Sequence, residues 1–553
     1  MDERRTVRRV LLGHFFRRFF DNDTIQVEGD TQTTVIRALS AVAVPGLLMA
    51  FFLGLGAPRV LSEAQVLMPH YFFVLLPFVV MGVVALFEWE MLFPDRLDFL
   101  VLTPLALKQR EMLGAKAKAL GIFLGMFLVA VNVFGIAIYP GAGHSYVFRV
   151  LLAQSVATMM SGLFGVLVFL AIGGVLLCAL SETQFRVASP ILQMMATCGL
   201  LLLVLHFVLF GSWILQQLNG HLRVVQWMPT VWFLGMYERV LYGNRALPFA
   251  AEMARRGLIA TAVAGVVAVV TYPLAWARMR RMAIEGSTGN GLRPWRVSQW
   301  LVQRMVRRPG ERAVFSFIGQ TMTRNSKYHV YLAMYYGIGV ALAVACSLSF
   351  TLRGGQIHIG TSADGLHAIT PLIMFWVIAG LRAAFGLPVN LQAGWIFRVT
   401  GVKLSECAAA ARSWAMMCAM VVLGLILIVL RLLGWDAWHL LVQAGTGFCV
   451  ALLLTNAFFF SQEAVPFNKP RMPGNSKWGL VMALYLIVLP QFVFRMIDVE
   501  HGVEHKWTRA VGWCVSTAVM WGLMVWRRRK SPPLDDDWAE YSGEYLLLGL
   551  GPR

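Results

Sequence analysis

VLLAQSVATMMSGLFGVLVFLAIGGVLLCAL, residues 150–180, runs uninterrupted by Asp, Glu, Lys or Arg. A bilayer core needs about 20 consecutive apolar residues in a helix. Only helices and closed barrels satisfy their backbone groups in lipid, and the run lacks the alternation of a barrel strand. It reads as a membrane-spanning helix, long enough to tilt or to break at Gly173-Gly174.

Working outward, comparable runs recur along nearly the whole chain. The others fall at 35–56, 70–92, 119–139, 191–214, 257–277, 331–350, 368–387, 413–433, 439–461, 478–495 and 509–526, giving about twelve spans. Composition agrees, with 58% of 553 residues hydrophobic, 14% charged and a mean hydropathy of +0.65. Soluble domains carry about 25% charged residues. The fold class is therefore all-α, a polytopic transmembrane helical protein.

The charge pattern orients the spans. Net charge is +19, which on a soluble chain would point to nucleic acid. Here, with the N-terminus placed in the cytoplasm, 35 of the 48 lysines and arginines fall on the cytoplasmic side and only 12 outside. That is the positive-inside bias, and it places both termini in the cytoplasm with no nucleic-acid partner. The multi-pass protein is assigned to the cell (inner or plasma) membrane, and no cleavable signal peptide is expected. The seven cysteines are scattered through apolar runs without a CxxC pair, so they read as packing residues rather than a disulfide or zinc framework.

A basic, Gly-rich segment after the sixth span divides the chain into two six-span halves running in the same direction. They are residues 1–285 and 312–530, with the linker at 286–311 and a cytoplasmic tail at 531–553. Each half opens with a basic amphipathic stretch, Arg4–Phe20 and Trp300–Lys327, and carries a sizeable loop between its second and third spans. Arginines on the first stretch suit anionic lipid headgroups.

The loop FPDRLDFLVLTPLALKQREMLGAKAKAL starts at Phe93. In it Asp95, Arg96 and Asp98 precede an apolar run broken by Pro104, and Lys108, Arg110 and Glu111 follow. A short helix with an apolar side and charged ends fits a partner's cleft as well as it fits the headgroup layer. Its counterpart in the second half carries Arg398, Lys403 and Glu406. Outside, VVQWMPTVWFLGMYERVLYG (224–243) precedes the sixth span and contains Pro229, Trp232, Phe233, Tyr237, Glu238 and Arg239. As an interfacial aromatic belt this composition is ordinary.

Taken together, the six-span unit, the opening amphipathic helix, the charged loop and the external aromatic stretch resemble the permease subunits of ABC-2-type exporters. RAVFSFIGQTMTRNSKYHVYLAMYYGIGVAL (from Arg312) and NLQAGWIFRVTG (from Asn390) resemble segments of large bacterial proteins of that kind. The resemblance implies that 93–118 and 388–412 are coupling loops contacting an ATPase, and that the external stretch 215–256, which includes 224–243, holds short re-entrant or amphipathic helices. No GxxxxGK[ST] occurs, so the implied ATPase, a dimer binding ATP, is a separate chain and this chain carries no cofactor. The substrate implied is amphipathic or lipid-like, leaving where the halves meet. The short external loop 496–508 departs from the pattern in the second half.

Rival readings rest on fewer residues. His206 and Asn132 are the chief polar residues read deep in spans, fewer than ion-coupled carriers place there. His501-Gly-Val-Glu504-His505 matches the H-x-x-E-H zinc-hydrolase string. Between two spans, with Gly502 inside it, the string reads as a solvated loop, and Asp364, His358 and His367 have no evident reason to join it. A non-transporting scaffold and a membrane-embedded metal-dependent hydrolase are the alternatives to the permease; the preferred reading is not an enzyme.

Overall fold

The computed structural model describes residues 2–20, 31–55, 63–93, 108–137, 147–217, 226–285, 306, 308–353, 356–387, 397, 399–460, 466–467 and 478–530. Asp95, Arg96, Asp98, Pro104, Arg398, the tail at 531–553 and most of the linker lie outside the described residues, as does the His206 side chain. The chain divides into two compact units, Met1–Gly289 and Asn290–Arg553.

The first unit contains α1 (Asp2–Phe20), α2 (Thr31–Leu55), α3 (Glu63–Phe87), α4 (Trp89–Leu92), α5 (Gln109–Ala137), α6 (Val147–Ala179), α7 (Glu182–Gln217), α8 (Pro229–Tyr242) and α9 (Ala250–Glu285). The second contains α10 (Pro309–Arg324), α11 (Ser326–Ser347), strands β1 (Leu348–Arg353) and β2 (Gln356–Thr361), α12 (Ala363–Phe385), α13 (Leu404–Leu432), α14 (Ala437–Phe458), α15 (Trp478–His505) and α16 (Trp507–Lys530). Among the described residues, nine helices are long and apolar enough to cross a membrane. Helices also cover the stretches read as the first, eleventh and twelfth spans; the apolar described part of α2 is Val35–Phe51.

Within each unit, polar contacts show which helix ends lie together. At one end of the first unit, Lys116 Nζ donates to the Phe93 carbonyl at 3.0 Å and Arg280 to Gln109 Oε1 at 2.8 Å. Arg278 donates to the carbonyls of Cys178 and Leu180 at the same end. The second unit matches: Tyr328 donates to the Leu387 carbonyl at 2.9 Å, and Arg528 reaches Asn456 Oδ1. The end of each unit gathering these contacts is the end that carries most of the described basic residues.

A shared packing scheme runs through both units. The second long helix, α3 or α12, is the center and the most buried of the nine, packing on the fourth and fifth (α6 and α7; α14 and α15). An amphipathic helix lies on the third in each case, α1 on α5 and α10 on α13. Spacing explains the docking. Leu11, Phe15 and Phe19 recur every four residues and form one buried stripe of α1, with Phe19 stacked on Phe123 at 4.9 Å. On α10, Val314, Phe315, Ile318 and Met322 do the same, and Phe315 meets Trp414 edge-on at 4.9 Å. The units differ in their first helices: α2 packs mainly on α5, whereas α11 packs along α12.

Outward faces are apolar. Leu258, Ile259, Val263, Val266, Val270 and Leu274 are all exposed on α9. A continuous apolar stripe of that kind is anomalous in water and expected against lipid.

Three expectations change on inspection. Helix α6 is unbroken through Gly173-Gly174. Those glycines are contact surface instead: a Cβ at Gly174 would stand 2.1 Å from Thr271 Oγ1, and one at Gly173 would stand 3.0 Å from the Phe93 ring. The seventh span ends at Ser347, because Leu348–Arg353 pairs antiparallel with Gln356–Thr361 in register Leu348↔Thr361 to Arg353↔Gln356. Alternating Leu348, Phe350, Leu352 and Ile357, Ile359 around Gly354-Gly355 is a hairpin signal. The loop assigned to 496–508 is mostly helix, since α15 runs on to His505. Gly502 lies within that helix, with the Arg509 side chain packed beside it.

Candidate functional site

Of the charged residues assigned to the loops before the third spans, Lys108, Arg110, Glu111, Lys403 and Glu406 are among those described. Lys108 and Arg110 are exposed at the start of α5, where Glu111 pairs with Arg8 of α1 at 3.4 Å. Lys403 is exposed at the N-cap of α13, and its N–H donates to Glu406 Oε2 at 3.4 Å. Glu406 Oε2 also lies 2.2 Å from the place a Cβ on Gly310 would take. That carboxylate thus crowds the first turn of α10. In both units the charged start of the third helix and the amphipathic helix form one neighborhood.

The external aromatic stretch is a buried helix. Pro229 opens α8, and Thr230, Phe233, Tyr237 and Glu238 are buried against α3, α6 and α9. Trp232 is half-buried and donates Nε1–H to the Gln226 carbonyl at 2.8 Å; exposed Arg239 donates to the Gly243 carbonyl at 2.7 Å, closing the helix. Polar contacts among the described residues bind α8 to α3. The Tyr71 and Thr230 hydroxyls are 3.0 Å apart, and the Tyr237 hydroxyl is 2.9 Å from His70 Nε2. His70 Nδ1 is 2.9 Å from Gln154 Oε1 on α6. With Nδ1–H donated to that amide oxygen, a neutral imidazole accepts the tyrosine proton at Nε2.

The second unit carries a charged counterpart at the corresponding level. His367, on the first turns of α12, is buried, and its Nδ1–H donates to Glu500 Oε2 at 3.0 Å. The other Glu500 oxygen, Oε1, is 3.1 Å from the Thr446 hydroxyl of α14. His367 Nε2 faces Glu504 Oε1 at 3.8 Å. The Glu504 side chain is only 10% exposed, and its Oε1 is buried without a hydrogen-bond partner among the described residues. His501 meets the His367 ring edge-on with centroids 4.6 Å apart, and its Nε2 is 3.6 Å from Asp364 Oδ1. One ligand atom from each of His367, His501 and Glu504 lies within 4.8 Å of the other two. Trp435 closes one side, its ring 4.9 Å from that of His367.

Helical spacing builds this cluster. Glu500 and Glu504 are one turn apart and share the α15 face toward α12, with His501 beside them. His505 points elsewhere, its Nδ1–H returned to the His501 carbonyl at 2.8 Å. It lines a cavity of about 480 Å³ with Asp498, His501, Gly502, Lys506 and Arg509. Glu500 lies past the apolar part of α15, and burial pushes its carboxyl above the usual carboxylate range, opposed by the His367 hydrogen bond.

Sequence reading named His501, Glu504 and His505 as one string and gave His367 and Asp364 no reason to join them. The structure brings four of these together and leaves out His505. His70, Gln154 and Glu500 were missed. Their signal was present, since polar side chains inside or beside apolar spans carry a cost that usually marks function. Asn132 is buried in α5 but is held locally, donating to its own Leu128 carbonyl at 2.8 Å. No family model, curated protein or solved structure matches the chain.

Proposed function

We propose that this chain is the membrane-spanning subunit of an ABC-type exporter, working with a separate ATPase dimer and moving an amphipathic or lipid-like substrate across the cell membrane. The observation carrying the proposal is the repeated pairing of an amphipathic helix with the charged start of the third long helix, α1 with α5 and α10 with α13. In the first unit Arg8, Arg9, Lys108 and Arg110, on or beside these two helices, are all exposed. A motor docking there would act on helices already braced against each center, α5 on α3 and α13 on α12. ATP binds the partner, so no nucleotide site is required of this chain.

Helix α8 supports the same reading. It is the counterpart of the family's external segment, and its buried His70–Tyr237 and Tyr71–Thr230 bonds hold it as a firm plug rather than a surface belt. Substrate passage would then involve the α3–α8 contact. Outward apolar faces place lipid in contact with the protein as a solvent and as a candidate class of cargo.

The test is purification of the tagged chain from its native membrane in mild detergent, with mass spectrometry and ATP hydrolysis measured on the eluate. A co-purifying ATPase that is lost on Lys108→Glu with Arg110→Glu supports the proposal. A chain that elutes folded and alone, without ATP hydrolysis, refutes it and favors the scaffold reading.

A further inference from the structure

We infer that His367, His501 and Glu504 form a binding site for one zinc ion that ties the start of α12 to the end of α15. The site is independent of the exporter reading. It rests on the donor set, the packing around it and an unmet electrostatic demand.

The donors are right for zinc. Zinc takes imidazole nitrogen and carboxylate oxygen at about 2.0–2.2 Å in a tetrahedron, and two histidines with one glutamate plus water is an established set. Such bonds place ligand atoms about 3.4 Å apart. The His367 Nε2–Glu504 Oε1 separation is 3.8 Å, and all three ligand atoms lie within 4.8 Å. Binding therefore needs these separations to close by up to about 1.4 Å, within the range of side-chain rotation.

The surroundings are those of a metal site. Ligating histidines usually donate their second nitrogen to a carboxylate, which fixes the tautomer and strengthens the ligand. His367 does this through Nδ1 to Glu500, leaving Nε2 turned toward Glu504. Glu500 is itself fixed by its contact with Thr446. An ion has an entry path, because the His501 side chain is 38% exposed and Asp364 beside it is open to solvent. The fourth position falls to water.

Charge supplies the demand. Glu500 and Glu504 are both buried beside the imidazole of His367, and among the described residues Glu504 Oε1 accepts no hydrogen bond. Burying a carboxylate that accepts no hydrogen bond is costly, and a divalent cation between His367 and Glu504 offsets that cost. The arrangement also separates this site from the hydrolase string. In the string both histidines bind metal and the glutamate activates water, whereas here Glu504 is a ligand and His505 bonds to its own helix.

The test uses the full chain in detergent, stripped with a chelator, then titrated with zinc and, separately, with magnesium and calcium. Calorimetry and elemental analysis give affinity and stoichiometry, and cobalt absorption reports the coordination number. Expected are one zinc per chain, a four-coordinate cobalt spectrum, and no comparable binding of magnesium or calcium. Glu504→Gln, nearly isosteric and relieved of the buried charge, is expected to elute as folded and to lose zinc, as is His501→Ala. Glu500→Gln, which changes only the partner of His367, is expected to weaken binding about 10–100-fold. His505→Ala is expected to bind as the parent does. The proposal is overturned if the parent takes up no zinc, if Glu504→Gln binds like the parent, or if His505→Ala loses zinc as His501→Ala does.

Discussion

Replacing Phe15 by Ala tests whether α1 is a docked element or a loose surface helix. Phe15 is 2% exposed, sandwiched between Leu11 and Phe19 on the stripe facing α5, while Val10 next to that stripe is 66% exposed. Lys116 Nζ lies 5.6 Å from the Phe15 ring centroid, so truncation also removes a cation–π contact, a type worth about 0.5–2 kcal/mol. Truncating a buried Phe costs about 3–5 kcal/mol in a protein core. Here the lower end applies, because the released face can lie on lipid rather than water. A loss of about 3 kcal/mol in local stability is roughly two decades in the opening equilibrium. Hydrogen exchange measured by mass spectrometry in detergent micelles reads this directly. Amides of α1 should exchange about a hundredfold faster in Phe15→Ala, with α12 unchanged and Val10→Ala like the parent. Equal protection in both variants would mean that α1 is not held by this stripe, and the repeated third-helix arrangement would lose its basis.

Other expectations follow from single contacts. Gly365→Ala would place a Cβ 1.9 Å from the Cys346 carbonyl, so a thermal melt should fall by the equivalent of about 3 kcal/mol or more; Gly424→Ala, with nothing within 4 Å of the added carbon, should match or slightly exceed the parent, by up to about 1 kcal/mol. Tyr237→Phe removes the bond to His70 Nε2 and should cost about 1–3 kcal/mol in the same melt, whereas Tyr242→Phe, at an exposed position, should be silent. Adding zinc to the stripped protein should raise the melting temperature in a concentration-dependent way, and Glu504→Gln should abolish that rise.

The membrane-spanning character was legible because it depends on composition over about 20 residues at a time, a scale at which single errors average out. Residues 150–180 could hardly be anything else. The amphipathic opening of each unit was legible too, from Leu11, Phe15 and Phe19 in a helical period. Short-range features were less readable. Gly502 suggested a loop, yet the helix runs through it to His505; a single glycine costs a helix only about 1 kcal/mol, which its neighbors can outweigh. Gly173-Gly174 looked like a break for the same reason, its purpose being the approach of Thr271. The cluster around His367 needs residues more than a hundred positions apart, a juxtaposition that packing supplies and periodicity does not reveal. Half of the cluster was nevertheless visible in the one string on α15.

Sidedness is the most direct test of the whole account. Single-cysteine variants at Asp364, Lys506 and Lys530 in intact cells, on a background with the native cysteines replaced, can be probed with a membrane-impermeant maleimide. Labeling at Asp364 and Lys506 from outside, with Lys530 reached only after the membrane is opened, is the predicted result. Labeling of Lys530 from outside, or of all three alike, would contradict the alternating six-helix units from which the exporter proposal is built.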